Sequence, residues 1–261
     1  MKTFVALLIL GLVLWASVHA GEQIETTAGW VKHAENPVLG GDLGTCFDIS
    51  VLKEGDTYRM WFSWRPKKSI ALVESKDGIA WERMSYKAVL SAEMPWEKVG
   101  VMCPHVIYDE TAKLYRMWYS GGEQYEPNAI GYATSNDGLK WSRHENNPIF
   151  KPNSKNAWEK DRVTACQVIR QGDWHIMFYI GFRDMNYAQI GVARSKDGIT
   201  GWERHRANPI IRPGKDQWDH DAVYKPYAIF DGKRWLLWYN GRKGGVEQIG
   251  LALHKGEDLG F

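Results

Sequence analysis

One segment recurs four times along the chain, as Tyr58-Arg-Met-Trp-Phe-Ser, Tyr115-Arg-Met-Trp-Tyr-Ser, Trp174-His-Ile-Met-Phe-Tyr and Trp235-Leu-Leu-Trp-Tyr-Asn. Each copy is followed by a second motif: Ile70-Ala-Leu-Val-Glu-Ser-Lys-Asp-Gly, Ile130-Gly-Tyr-Ala-Thr-Ser-Asn-Asp-Gly, Ile190-Gly-Val-Ala-Arg-Ser-Lys-Asp-Gly or Ile249-Gly-Leu-Ala-Leu-His-Lys-Gly. Aromatic and β-branched content marks both motifs as strands, and Asp-Gly supplies the positive φ of a tight turn. A further strand opens on Trp81, Trp141 or Trp202, with an N-terminal copy at Trp30, and runs into Asn36-Pro37, Asn147-Pro148 or Asn208-Pro209. A loop carrying Trp96, Trp158 or Trp218 then leads to the next copy. With a period of about 57 to 61 residues and about four short strands per copy, the pattern predicts an all-β chain. The expected fold is a β-propeller of four-stranded antiparallel blades, four of them visible. A β-sandwich, the alternative, does not require its units to resemble one another. The last copy lacks its Trp-led strand, and the spare strand at Trp30 is expected to complete it and remove two exposed edges.

Residues 1–20 stand apart from the repeats. Lys2 precedes an apolar run from Phe4 to Trp15, and small and polar residues end at Ala20. This reads as a secretory signal peptide, which leaves 21–261 as a single propeller domain in a secreted or periplasmic location. A retained membrane anchor would need a longer apolar run. The 33 basic and 31 acidic side chains give a net charge of only +2, which excludes the extended positive field of a nucleic-acid binder. No membrane association is expected after cleavage, and nothing in the sequence fixes an oligomeric state.

Strand order within a blade puts the Asp-Gly turns at one end of the fold and the longer, chemically varied loops at the other. Binding sites belong on such loops, held by a rigid scaffold. Counting seven residues on from each loop Trp aligns Cys103, Ala165 and Lys225 at the starts of the innermost strands, with Asp48 in the first copy. Two residues on, expected on the same side of each strand, come Ser50, His105, Gln167 and Tyr227. The preceding loops add Asp42, Glu97, Glu159, Asp161, Arg162 and Asp221. The loops after the second strand add Trp64, Arg65, Glu123, Arg183, Asp184 and Arg242. Carboxylates, cations and aromatics converging on one end suit a carbohydrate ligand, through charge-assisted hydrogen bonds to hydroxyls and ring contacts with sugar faces. Many of these charges are equally expected as solvated rim residues or structural ion pairs.

The blade signatures Tyr115-Arg-Met-Trp-Tyr-Ser-Gly-Gly, Ile130-Gly-Tyr-Ala-Thr-Ser-Asn-Asp-Gly-Leu-Lys-Trp and Asn147-Pro-Ile-Phe resemble those of the five-bladed propeller glycosidases, glycoside hydrolase families 43, 32 and 130. The resemblance implies an acidic residue at the start of the inner strand of successive blades. Asp48, in Cys46-Phe47-Asp48-Ile49-Ser50, meets that pattern as a base or nucleophile-like carboxylate. The second and third copies have Cys103-Pro104-His105 and Ala165-Cys166-Gln167 instead, so the general acid is expected from a loop, Glu159 or Asp161 first. The relatives have five blades where four are read here. The join from Met84 to Val99, without an Asn-Pro, is the expected place of a lost blade.

The three cysteines, Cys46, Cys103 and Cys166, fall at near-equivalent places in three copies, suited to buried packing or to one disulfide with a thiol left over. Their spacing is unlike a zinc site, and there is no phosphate loop, dinucleotide fingerprint or calcium loop, so no metal and no cofactor are expected. The expected activity is that of a glycoside hydrolase acting on oligo- or polysaccharide by carboxylate acid/base chemistry. A non-catalytic carbohydrate-binding propeller and a glycoside phosphorylase are the alternatives.

Overall fold

The computed structural model describes residues 33–83, 88–123 and 126–261. The chain divides into two units, Met1–Asn36 and Pro37–Phe261. Of the first, the described residues form a turn in which the Asn36 N–H donates to the His33 carbonyl. The strand expected at Trp30 lies outside the described residues.

The second unit is four β-sheets in chain order, each an antiparallel blade whose strands run from the centre outward. Blade 1 contains β1 (Cys46–Glu54), β2 (Thr57–Trp64), β3 (Ser69–Ser75), β4 (Glu82–Arg83) and a short β5 (Leu90–Ser91). Blade 2 contains β6 (Val101–Asp109), β7 (Leu114–Gly121), β8 (Ala129–Ser135) and β9 (Ser142–Arg143). Blade 3 contains β10 (Arg162–Gln171), β11 (Trp174–Phe182), β12 (Ala188–Ser195) and β13 (Glu203–Arg204). Blade 4 has three strands among the described residues, β14 (Ala222–Phe230), β15 (Arg234–Lys243) and β16 (Val246–Lys255). The propeller predicted from the repeats is therefore the fold observed.

Each seam between blades is a sheet-on-sheet core. Trp61 and Leu72 meet Val101 and Met117, Trp118 and Tyr132 meet Val163 and Met177, and Phe178 and Val192 meet Val223 and Leu237. Burial of side chains this large contributes about 1.5–3 kcal/mol each. The seams are also stitched by polar contacts of fixed register. Trp61 Nε1 donates to the Gly138 carbonyl at 3.0 Å, and Trp118 Nε1 to Gly198 at 2.8 Å, so each indole reaches the Asp-Gly turn of the following blade. Within each turn the Asp side chain accepts two backbone N–H groups, as Asp137 does from Leu139 and Lys140.

The Ile-Gly pair of the second motif has a steric reason. A Cβ on Gly191 would lie 2.4 Å from Trp158, and one on Gly181 2.2 Å from the same ring, so the loop indole lies flat on β11 and β12 only where both side chains are absent.

The join from Met84 to Val99, the expected place of a lost blade, is built like the joins of the next two blades. Residues 84–87 lie outside the described residues, but Leu90 pairs with Ile70 as Phe150 and Ile211 bridge to Ile130 and Ile190 in the next two blades. Blades 1 and 2 then share an ordinary seam.

Candidate functional site

The four aligned positions at the starts of the inner strands share one backbone feature. Asp48, Cys103, Ala165 and Lys225 have φ of 51°, 53°, 42° and 53°, all left-handed and none of them glycine. The ladder register shifts between Phe47 and Ser50, Met102 and His105, Thr164 and Gln167, and Tyr224 and Tyr227, so each of the four sits in a β-bulge. A bulge places two residues opposite one and re-aims a side chain. Non-glycine residues in this region cost about 1–3 kcal/mol each, which the surrounding sheet must offset.

The bulges bring Asp48, Cys103 and Lys225 together at the axis. Lys225 Nζ forms an ion pair with Asp48 Oδ1 and lies 3.8 Å from Cys103 Sγ, while the Cys103 thiol donates to Asp48 Oδ2 at 3.0 Å. Burial pushes the Cys103 thiol up to about 12, with Asp48 adding to burial and Lys225 opposing it, so the sulfur stays protonated. Burial acts against the charge on Lys225, but Cys103 and Asp48 outweigh it and raise the ammonium above its ordinary value. Cys166 is likewise pushed up by burial, and no disulfide joins it to Cys103.

Asp48, Cys103, Ala165 and Lys225 form a floor between two cavities. On the loop side is a mouth of about 170 Å³, whose lining includes Asp48, Arg65, Glu126, Arg162, Tyr224 and Lys225. Arg65 lies over the Phe47 ring at 4.8 Å and Arg162 over Phe182 at 4.5 Å, which holds both guanidinium groups at the rim. Asp161, 42% exposed, pairs with Arg162 at 2.9 Å. On the other side of the floor the axial channel, about 600 Å³, runs down the inner strands past Ser50, His105, Gln167 and Tyr227. A third cavity, an open cleft of about 650 Å³ between blades 3 and 4, lies at the loop end and takes in Arg183, Asp184, Asp221 and Arg242. There Arg183 pairs with Asp184 at 2.9 Å and stacks on Tyr187 at 4.0 Å, and Arg242 donates to the Asn186 carbonyl. Asp221 accepts the Gly244 N–H at 2.8 Å.

Several residues expected at the mouth have other places. Glu159 is fully buried between β11 and β13, accepting from Tyr179 at 2.9 Å and Asn156 at 2.6 Å and paired with Arg204 at 2.8 Å. Glu97 repeats the arrangement in blade 2 with Tyr119 at 2.7 Å and Arg143 at 3.0 Å. Burial there works to raise the Glu97 carboxyl, but Arg143, Tyr119 and two backbone N–H groups outweigh it and hold the group below its ordinary range. Both carboxylates are spent on joining a loop to the outer strands. Trp64 is buried with its indole N–H on the Leu43 carbonyl. Asp42 and Glu123 are exposed and line none of these three cavities.

Ser50, His105 and Gln167 act as clamps between neighbouring inner strands. Ser50 Oγ accepts from Val106 N, His105 Nε2 donates to the Val168 carbonyl at 2.9 Å, and Gln167 Nε2 donates to the Ala228 carbonyl at 3.1 Å. The bulge breaks the two-residue alternation, which is why these side chains turn into the seams rather than pointing with Asp48 and its equivalents. Tyr227, the fourth member, is 58% exposed, and among the described residues no further inner strand packs against it. Glu126 is the residue that sequence reasoning missed. It follows Glu123 by three positions in the same loop, and Pro127 behind it is the only local signal of a fixed conformation.

No protein-family model matches the chain. An uncharacterized protein of Mycobacterium tuberculosis is 29% identical over 221 residues, 78% of this chain and 69% of the relative. A β-1,2-mannobiose phosphorylase of a Thermoanaerobacter species is 26% identical over 151 residues, 51% of this chain and 48% of its own length. Among solved structures, a glycoside hydrolase superposes with a TM-score of 0.65 at 21% identity, over 81% of this chain and 69% of that one. A thermostable family-43 glycoside hydrolase does so with a TM-score of 0.64 at 17% identity, over 84% and 70%. With its repeats, its radial sheets and these matches taken together, the chain has the fold of the β-propeller glycosidases.

Proposed function

We propose that the chain cleaves a glycosidic bond of an oligo- or polysaccharide at the axial mouth, with Asp48 and Glu126 as its two carboxyl groups. The observation that carries this is that both line one cavity together with Arg65 and Arg162. Glycoside hydrolysis needs one carboxyl group to protonate the leaving oxygen and a second to act as base or nucleophile. Asp48, paired with the Lys225 ammonium at the head of an inner strand, suits the base or nucleophile, and Glu126, on a loop at the rim, suits the proton donor. Arg65 and Arg162 offer planar donors for sugar hydroxyls, and the cleft lined by Arg183, Tyr187 and Arg242 gives a longer chain room beyond the cleaved bond.

A second reading, phosphorolysis, is favoured by one further feature: the same mouth holds three cations, Arg65, Arg162 and Lys225. A phosphate ion is already a nucleophile, so one acid and a cationic cradle would replace the second carboxylate. One experiment tests both readings, incubation of the protein with an oligosaccharide panel with and without inorganic phosphate. Hydrolysis predicts free reducing sugar in both arms; phosphorolysis predicts a sugar 1-phosphate only where phosphate is present. Asp48→Asn and Glu126→Gln are each expected to lower kcat by about 100-fold or more. Undiminished turnover in Asp48→Asn, or saturable binding without product, overturns the proposal.

A further inference from the structure

In the first three blades the third strand presents its side chains to a neighbouring sheet; in blade 4, among the described residues, it does not. Ile190 and Val192 of β12 are 0% and 2% exposed, covered by blade 4. Their equivalents on β16, Ile249 and Leu251, are 67% and 49% exposed, and Leu253 is 56% exposed. Residues directly opposite in an antiparallel pair share a face. Leu251 stands opposite Trp238, which stands opposite Tyr227, and Leu253 stands opposite Leu236, which stands opposite Ile229. One side of blade 4 is thus a continuous apolar sheet face with the side-chain pattern of a blade–blade seam and, among the described residues, no blade upon it.

We propose that a second copy of this chain covers that face, blade 4 stacking on blade 4 about a two-fold axis that runs across the strands. Two features select a second copy. The first is area. The exposed parts of Tyr227, Ile229, Ile249, Leu251 and Leu253 come to about 500–600 Å², in the upper range for a monomer's largest apolar patch, and two copies together reach about 1,000–1,200 Å², where specific interfaces begin. The second is charge. Glu247 and Lys255 lie at opposite ends of the same face of β16. The two-fold arrangement sets β16 antiparallel over its mate, so Glu247 of each copy meets Lys255 of the other while Leu251 lies at the centre. An isologous contact needs this self-complementarity. The inference stands whether or not the mouth is catalytic.

Sedimentation velocity on the purified protein, from low to high micromolar concentration, tests it. The expected result is a reversible dimer, converted to monomer by Leu251→Asp with an unchanged near-UV circular dichroism spectrum. Glu247→Lys and Lys255→Glu are each expected to weaken dimerisation by about tenfold, and the double exchange to restore it to within about threefold of the original. Restoration by the second charge change separates the contact from any loss of folding. A monomer across the whole range overturns the proposal, including one whose β16 amides are protected from exchange, which would show the face held by the chain itself. So does a dimer indifferent to Leu251→Asp, or a double exchange that does not restore association.

Discussion

Replacing Glu159 separates an architectural carboxylate from a catalytic one. Its side chain is fully buried under Trp158 and meets Arg204, Tyr179 and Asn156 at 2.8, 2.9 and 2.6 Å. Glu159→Ala leaves the Arg204 guanidinium and the Tyr179 hydroxyl without their acceptor in a site that water does not reach. Breaking a buried pair in this way costs about 3–5 kcal/mol, a large share of the roughly 5–15 kcal/mol that holds a domain together. For a chain of this size, at about 2–4 °C per kcal/mol, the Tm falls by about 6–20 °C. Glu159→Gln keeps the volume and one acceptor and should lose about half as much. Asp161→Asn, in an ion pair 42% exposed on the acid side, should lose under about 1 kcal/mol. Differential scanning calorimetry reads the stabilities, and saturable glycan binding below the lowest Tm reads the site. A Glu159→Gln protein that melts with the wild type but has lost binding or turnover would refute the assignment and return Glu159 to the mouth.

Two further outcomes follow from the seams. Burial lowers the pKa of both His105 and His175, against the raising effect of their bonds to backbone carbonyls, so each is neutral when folded and takes up a proton more readily when unfolded. Stability is therefore full above the unfolded histidine value of about 6.5 and declines as pH falls below it, and His105→Gln should flatten the Tm profile between about pH 7 and 5. Gln167→Leu removes the donor to the Ala228 carbonyl and the acceptor for its N–H; the expected cost is about 2–3 kcal/mol, seen as faster amide exchange in β14 while β6 is unchanged.

The repeats made the architecture legible, because four copies of one strand pair with a recurring Asp-Gly turn can bury their faces only against one another. The alignment on the loop tryptophans also located the axial positions, since Asp48, Cys103, Ala165 and Lys225 share one backbone geometry. What failed was the step from position to direction. The bulge after each of these residues shifts the alternation by one, so Ser50, His105 and Gln167 face a neighbouring strand, and no one-dimensional pattern announces an extra residue in a ladder. Glu97 and Glu159 were misplaced for a related reason: a carboxylate beside a loop tryptophan looks solvent-facing until its Tyr and Arg partners, about 20 to 46 residues away, close over it. Glu126 was missed because only folding brings its loop to the mouth.

The four bulges have a consequence for how such a chain can change. The left-handed backbone at the head of each inner strand is imposed by the ladder on both sides of it, and it is occupied by an acid, a thiol, a methyl group and an amine in turn. Since the sheet tolerates all four, the position behaves as an interchangeable socket whose occupant can be exchanged without rebuilding the scaffold. Altered reactivity is then reachable in single substitutions, and grafting the acid of the first sheet into the third, as Ala165→Asp, is the shortest route to a new pair of facing groups.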